Sequence, residues 1–286
     1  MEVNSKIDAN VKKLKDVLSQ ILEIPNFQRP YHWDYGNVKQ LLQDVYDSWK
    51  SGKQSYRIGS IILYDPQKQD RIIKCLSMLQ VTFRNRIYKN WLQEVLKWYI
   101  PSTENDISKI DYLQKLDNLA LGYYKLENEI DKATASYAQG TDTPHFLFNF
   151  IDYLYWVAYK TKYNDNKQEN EKIANLDNVS DFNFNYRNSI EHHLPQSFEG
   201  QNYNKTLINN LGNLCLVNKS ANSRMNNESP IGKADKNDRY YNSKLNPKRK
   251  IMYDITNTKN EWGKTEIDEH YNNVVKLLKQ RTNILK

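Results

Sequence analysis

Ser189-Ile190-Glu191-His192-His193-Leu194-Pro195-Gln196-Ser197 opens a segment that runs through Leu211-Gly212-Asn213-Leu214 to Ala221-Asn222-Ser223 and Lys233. A short apolar strand is expected to end in an acid and two histidines. A loop follows, and a second strand leads into an Asn-rich helix start. Neighbours on a regular strand point to opposite faces, so Glu191 and His192 converge only where the strand twists or stops. Pro195 marks such a stop.

Upstream of this segment, Phe146, Phe148, Phe150, Ile151, Leu154, Tyr155, Val157 and Ala158 predict a strongly apolar core helix, followed by a charged linker over Lys160–Lys172. The turn-rich stretch 136–144 is read as a break, which puts a domain boundary near residue 140 and gives domains 1–140 and 141–286. Earlier still, apolar spacing predicts helices over 5–20, 38–49, 87–99 and 110–132, and a buried strand over 56–64 closed by Asp65-Pro66. Ile24-Pro25-Asn26-Phe27-Gln28-Arg29-Pro30 is held extended by its prolines. A last helix over 267–284 is expected to pack back on the second domain.

The chain has 286 residues, enough for a sizeable core, and 12 % of them are aromatic. Its formal charge of +7 favours a polyanionic partner. Lys233, Lys236, Arg239, Lys244 and Arg249, with Lys248 and Lys250, form a basic stretch around Tyr240 and Tyr241 suited to phosphate contacts along a groove. Two distant cysteines, Cys75 and Cys215, argue for a reducing compartment and against a disulfide framework. With no apolar run long enough to span a bilayer and no signal-peptide core, a cytoplasmic protein without a membrane role is expected.

Hydrolysis of a phosphodiester needs an activated water, neutralised charge at the phosphate and help for the leaving oxygen. A neutral His can take the water proton, and a divalent ion on hard oxygen ligands covers the other two tasks. Glu191-His192 followed by Leu194-Pro195, with Asn213 and Asn222 behind it, resembles an HNH-type ββα-metal nuclease. By that resemblance His192 is the general base, with His193 the less favoured choice, and Glu191 and Asn222 are metal ligands. Asn213 fixes the loop that holds the base, and Mg²⁺ or Mn²⁺ is the expected ion.

The likeness extends to Phe182–Ser189, Asn222–Asn227, Ser229-Pro230, Ser243–Leu245, Lys250–Met252, Trp262-Gly263 and His270, which resemble the C-terminal domain of GmrSD-type restriction proteins. Ile24, Pro25, Gln28, Arg29, Tyr31, Trp33, Gly59, Ser60 and Ile61 resemble the opening of that family's ParB-like N-terminal domain. There Gln28 and Arg29 would serve a nucleotide. In the family a following strand ends in Asp-Gly-Gln-Gln-Arg, whereas this chain has Ile72-Ile73-Lys74-Cys75-Leu76-Ser77-Met78.

The expected fold is therefore α+β and mostly helical, with a truncated, degenerate ParB-like portion and an HNH-like core embedded in helices. The implied activity is metal-dependent cleavage of double-stranded DNA, foreign or modified as in phage, with a homo-oligomer or a partner subunit possible. The alternative is a catalytically inactive DNA-binding or regulatory remnant. A nucleotide-dependent enzyme working through Gln28 and Arg29 is a third reading.

Overall fold

The computed structural model describes residues 13, 35–53, 71–83, 90–99, 107–127, 140–164, 179, 182–198, 201–225, 227–235 and 245–285. Apart from Lys13, the helix expected over 5–20, with the strand expected over 56–64 and Gln28, Arg29, Lys236, Arg239 and Lys244, lies outside the described residues. The chain divides into two compact units, one of residues 28–69 and one of residues 1–27 with 70–286. The division expected near residue 140 falls inside the larger unit.

In the smaller unit, α1 (Tyr35–Lys50) forms where Leu41, Leu42, Val45 and Trp49 recur at helical spacing. Gln40 and Gln43 each donate to the Asp four residues on, at 2.7 and 3.0 Å, which adds local support. The helix stops before Gly52, whose φ of +79° is one that L side chains rarely adopt. Leu42, Tyr46 and Trp49 are exposed.

In the larger unit the first described helices are α2 (Arg71–Thr82), α3 (Asn90–Tyr99), α4 (Lys109–Glu127) and α5 (His145–Asn164). Ile72–Met78, compared at the sequence level with a motif that ends a strand, is helical. Its apolar residues Ile72, Cys75, Met78 and Leu79 recur at three and four, and all are buried. α5 is the hub of the unit, packing on α2, α4 and four elements of the C-terminal half. Phe146, Phe148, Phe150, Ile151, Leu154 and Trp156 are each at most 2 % exposed, as suits a helix apolar all round. It runs on to Asn164, into the stretch expected as linker from Lys160, because no Gly or Pro in Tyr159–Tyr163 stops it.

Next come β1 (Ser189–His192), the small hairpin β2 (Ser197–Phe198) and β3 (Gln201–Asn202), α6 (Lys205–Ile208), a 3₁₀ turn at Leu211–Asn213, and β4 (Leu214–Val217). α7 (Lys219–Met225), α8 (Pro230–Ala234), α9 (Pro247–Lys259), α10 (Lys264–Lys279) and α11 (Arg281–Ile284) complete the chain. β1 and β4 pair antiparallel, with Glu191 opposite Cys215 and His192 opposite Leu214. All four residues of β4 are buried, so the sheet is a core element. The last helices pack back on α5.

One buried acid ties the sheet to the helices. Asp152, fully buried on α5, accepts from Arg187 Nη1 at 2.8 Å, from the Lys248 backbone N–H at 2.9 Å and from Asn246 Nδ2. Arg187 lies just before β1, and Asn246 and Lys248 stand at the start of α9. The carboxylate therefore holds both entrances to the site region, and its buried charge is compensated by these donors. Among the described residues no helix is long and apolar enough to cross a membrane.

Candidate active site

β1 ends at His192, and the chain bends at His193 and Leu194. Ser189 and Glu191 share one face of this strand. Asn222, one turn into α7, donates from Nδ2 to Ser189 Oγ at 2.6 Å, so the helix after β4 lies against that same strand. Asn218 ahead of α7 accepts from the Ala221 N–H at 2.7 Å, capping the helix and setting where Asn222 falls. Among the described residues Glu191 Oε2 and Asn222 Oδ1 accept no hydrogen bond. A carboxylate and an amide oxygen are hard donors of the kind that small divalent cations take. No cluster of three or more His, Cys, Asp and Glu suited to a metal occurs among the described residues.

Asn213 is completely buried and uses all its hydrogen-bonding capacity. Its Oδ1 accepts from the Leu194 N–H at 2.7 Å and from Trp262 Nε1 at 3.1 Å, and its Nδ2 donates to the carbonyls of Leu194 and Ile208 at 3.0 Å each. The His193 N–H donates to the Asn213 carbonyl at 2.9 Å. One side chain thus fastens the bend after His192 to the turn before β4. Gly212 allows that turn to touch α10, since a Cβ there would sit 2.2 Å from the Ile267 carbonyl oxygen. His270 Nδ1 contacts the Gly212 carbonyl at 2.7 Å, and Lys248 Nζ donates to the carbonyls of Leu211 and Leu214 at 2.8 and 2.6 Å.

The two adjacent histidines have different surroundings. His193 is 1 % exposed, packs edge-on to Trp262, and contacts Thr256 Oγ1 through Nε2 at 2.8 Å. Thr256 gives its own hydroxyl proton to the Met252 carbonyl, so it accepts from His193. His193 Nδ1 is sealed without a partner, and burial holds the ring well below the usual His pKa. It is a core residue. His192 retains 9 % exposure and contacts Asn209 Oδ1 through Nε2 at 3.1 Å. Burial lowers its pKa, opposed by the bond to Asn209, so the ring is neutral at pH 7.

Lys233 and Arg249, expected as phosphate contacts along a groove, lie inside the protein. Ser229 and Pro230 start α8 and turn Lys233 inward, where it is fully buried. Its ammonium donates to Glu191 Oε1 at 2.8 Å and to the carbonyls of His192 and His193 at 2.7 and 3.3 Å, which uses all three protons. Arg249 donates to the Tyr253 hydroxyl at 2.7 Å and stacks over that ring. A charged side chain is sent inside when the fold supplies enough acceptors, and nothing in a run of basic residues reveals where those acceptors are.

Glu191 feels opposing influences. Burial raises its carboxyl above the usual range, while Lys233 pulls it back. Asn209 and the internal role of Lys233 were not evident from the sequence. Asn209 follows α6 in an Asn-Asn pair with no periodic signal, and only the pairing of β1 with β4 brings it to His192.

A family model for GmrSD restriction endonucleases, C-terminal domain, matches residues 126–277, and the site lies wholly within that span. No curated protein and no solved structure matches the chain. The chain belongs to the GmrSD restriction endonuclease family, with residues 126–277 as the family's C-terminal domain.

Proposed function

We propose that the chain is a metal-dependent DNA endonuclease of the HNH type, which hydrolyses phosphodiester bonds of foreign or modified DNA. The supporting observation is that Glu191 and His192 end one strand of an antiparallel pair, Asn213 closes the turn that enters the other, and Asn222 lies on the helix directly after it, with His193 sealed in the core and His192 keeping 9 % exposure. Glu191 and Asn222 would hold Mg²⁺ or Mn²⁺, which when bound would neutralise phosphate charge and assist the leaving oxygen. His192, neutral at pH 7, takes the proton from the attacking water. Asn213 keeps the bend after His192 in place, and Lys233 holds the Glu191 carboxylate. Phosphate contacts are assigned to Lys236, Arg239 and Lys244. Residues 1–140 are assigned to sensing the DNA, with Gln28 and Arg29 in that portion.

The test is a cleavage panel on plain and modified DNA with Mg²⁺, Mn²⁺ and EDTA. Metal-dependent cleavage that is lost in His192→Ala, with thermal unfolding unchanged, is expected. Cleavage that survives His192→Ala overturns the assignment. The Lys233 ammonium against Glu191 favours a second reading, a DNA-binding remnant that does not cut. That reading requires salt-sensitive DNA binding with no cleavage under any metal.

A further inference from the structure

Asn209 and Gly140 lie far apart in the chain and meet behind His192. Gly140 has a φ of +55°, and its carbonyl accepts from both the N–H and the hydroxyl of Thr143, at 3.2 and 2.6 Å. A Cβ on Gly140 would stand 2.6 Å from Asn209 Cγ and 2.9 Å from both Nδ2 and Oδ1. Equal distances to the two terminal atoms, with the carbon nearer, place the glycine flat over the face of the amide. The Asn209 N–H donates to the Lys205 carbonyl at 2.9 Å, which fixes its backbone. The amide is therefore clamped on one face while Oδ1 reaches His192 Nε2 at 3.1 Å.

An amide oxygen only accepts, so the His192 nitrogen facing it must carry the proton. In a neutral imidazole the other nitrogen then has the free lone pair. The sealed, unpartnered imidazole nitrogens among the described residues are those of His193 and His270, not His192 Nδ1.

We infer that Asn209 is a positioning residue for His192: it accepts the Nε2–H, leaves Nδ1 as the nitrogen that takes the water proton, and is seated by the Gly140 turn. The turn-rich stretch around residue 140 thus acquires a role in the site. The proton balance is simple, since Nδ1 gains the water proton while Nε2 keeps its own. The inference rests on the nuclease reading for its kinetic part alone.

The test uses the full chain with ¹⁵N-labelled histidine. Wild type is expected to show the Nε2–H tautomer for His192, with a resolvable Nε2–H proton. In Asn209→Ala that proton exchanges into solvent and disappears, while Asn209→Asp, which keeps shape and acceptor, retains it. Gly140→Ala reproduces the alanine result at a residue that never touches His192, with folding followed by thermal unfolding. A His192 proton on Nδ1 in wild type, or an unchanged Nε2–H signal in Asn209→Ala, overturns the inference.

On DNA, kcat of Asn209→Ala should fall on the order of tenfold to a hundredfold with KM little changed, and Asn209→Asp should recover part of it. Unchanged kcat in Asn209→Ala removes the positioning role. If the resonances behave as expected but no variant and no wild type cuts DNA, the hydrogen bond stands and the nuclease reading fails.

Discussion

The ammonium of Lys233 lies 2.8 Å from Glu191 Oε1, with the two side chains only 1 % and 8 % exposed. An ion pair this deep is costly to form, yet more costly to break from one side, because a lone buried charge remains. Lys233→Met is expected to lower stability by about 3–5 kcal/mol. Adding Glu191→Gln should recover much of the loss, since it removes the orphaned carboxylate. Urea unfolding of both single variants and the double variant measures this, and a double variant no more stable than Lys233→Met would show that the pair is not coupled.

Lys248 supplies a pH signature of the fold. Its ammonium is completely buried against two carbonyls, and burial pulls its pKa down from 10.5 to about 7. A base with a depressed folded pKa binds fewer protons in the folded state than in the unfolded state between those two values. Its contribution is complete above the unfolded pKa and is lost as pH falls toward 7. Stability should therefore rise with pH between about 7 and 10, by at most about 1.4 kcal/mol per pH unit from this residue. Lys248→Met should flatten that rise, as read from urea midpoints at several pH values.

Gly212 makes a purely steric prediction. In Gly212→Ala the methyl meets the backbone oxygen of Ile267 at 2.2 Å and the Tyr271 nitrogen at 2.9 Å, and backbone atoms cannot swing aside. A loss of about 1–3 kcal/mol or more is expected, with reduced cleavage because the displaced turn carries Asn213. Wild-type stability in this variant would mean that α10 does not press on the turn.

Asn222 gives the test specific to the metal. Asn222→Ala should weaken Mn²⁺ binding, by calorimetry, on the order of tenfold or more, while thermal unfolding without metal changes little. Asn222→Asp supplies a charged oxygen at the same place and should restore or exceed wild-type affinity. Equal Mn²⁺ affinity in all three proteins would take Asn222 out of the site.

With His192 as the proposed base, the pH–rate profile of cleavage should report its titration. Burial lowers its pKa below the usual His value. On the acid side kcat/KM should fall with unit slope through a pKa below 6.5. An acid limb centred above 6.5 would point to a different base.

Much of the architecture follows from local rules that a sequence displays. The helical spacing of α1 and α4, the all-round apolar character of α5, and two short strands flanking a loop are periodic signals. Glu191, His192, Asn213 and Asn222 stand out in the sequence through an adjacent acid and histidine with two asparagines spaced behind them, which resembles the HNH pattern. Ile72–Met78 was less readable, because a short apolar run fits a strand or a helix until its packing partners are known.

Composition and spacing set which chemistries the chain can offer: an imidazole, one adjacent carboxylate, amide oxygens and a surplus of basic residues. Contacts between distant parts of the chain set which of them face solvent and which face one another. It sent His193 to Thr256 and Trp262, turned Lys233 and Arg249 inward, and brought Asn209 to His192 over the Gly140 turn. Burial and hydrogen-bond partnership depend on contacts between residues distant in the chain, and no local pattern encodes them.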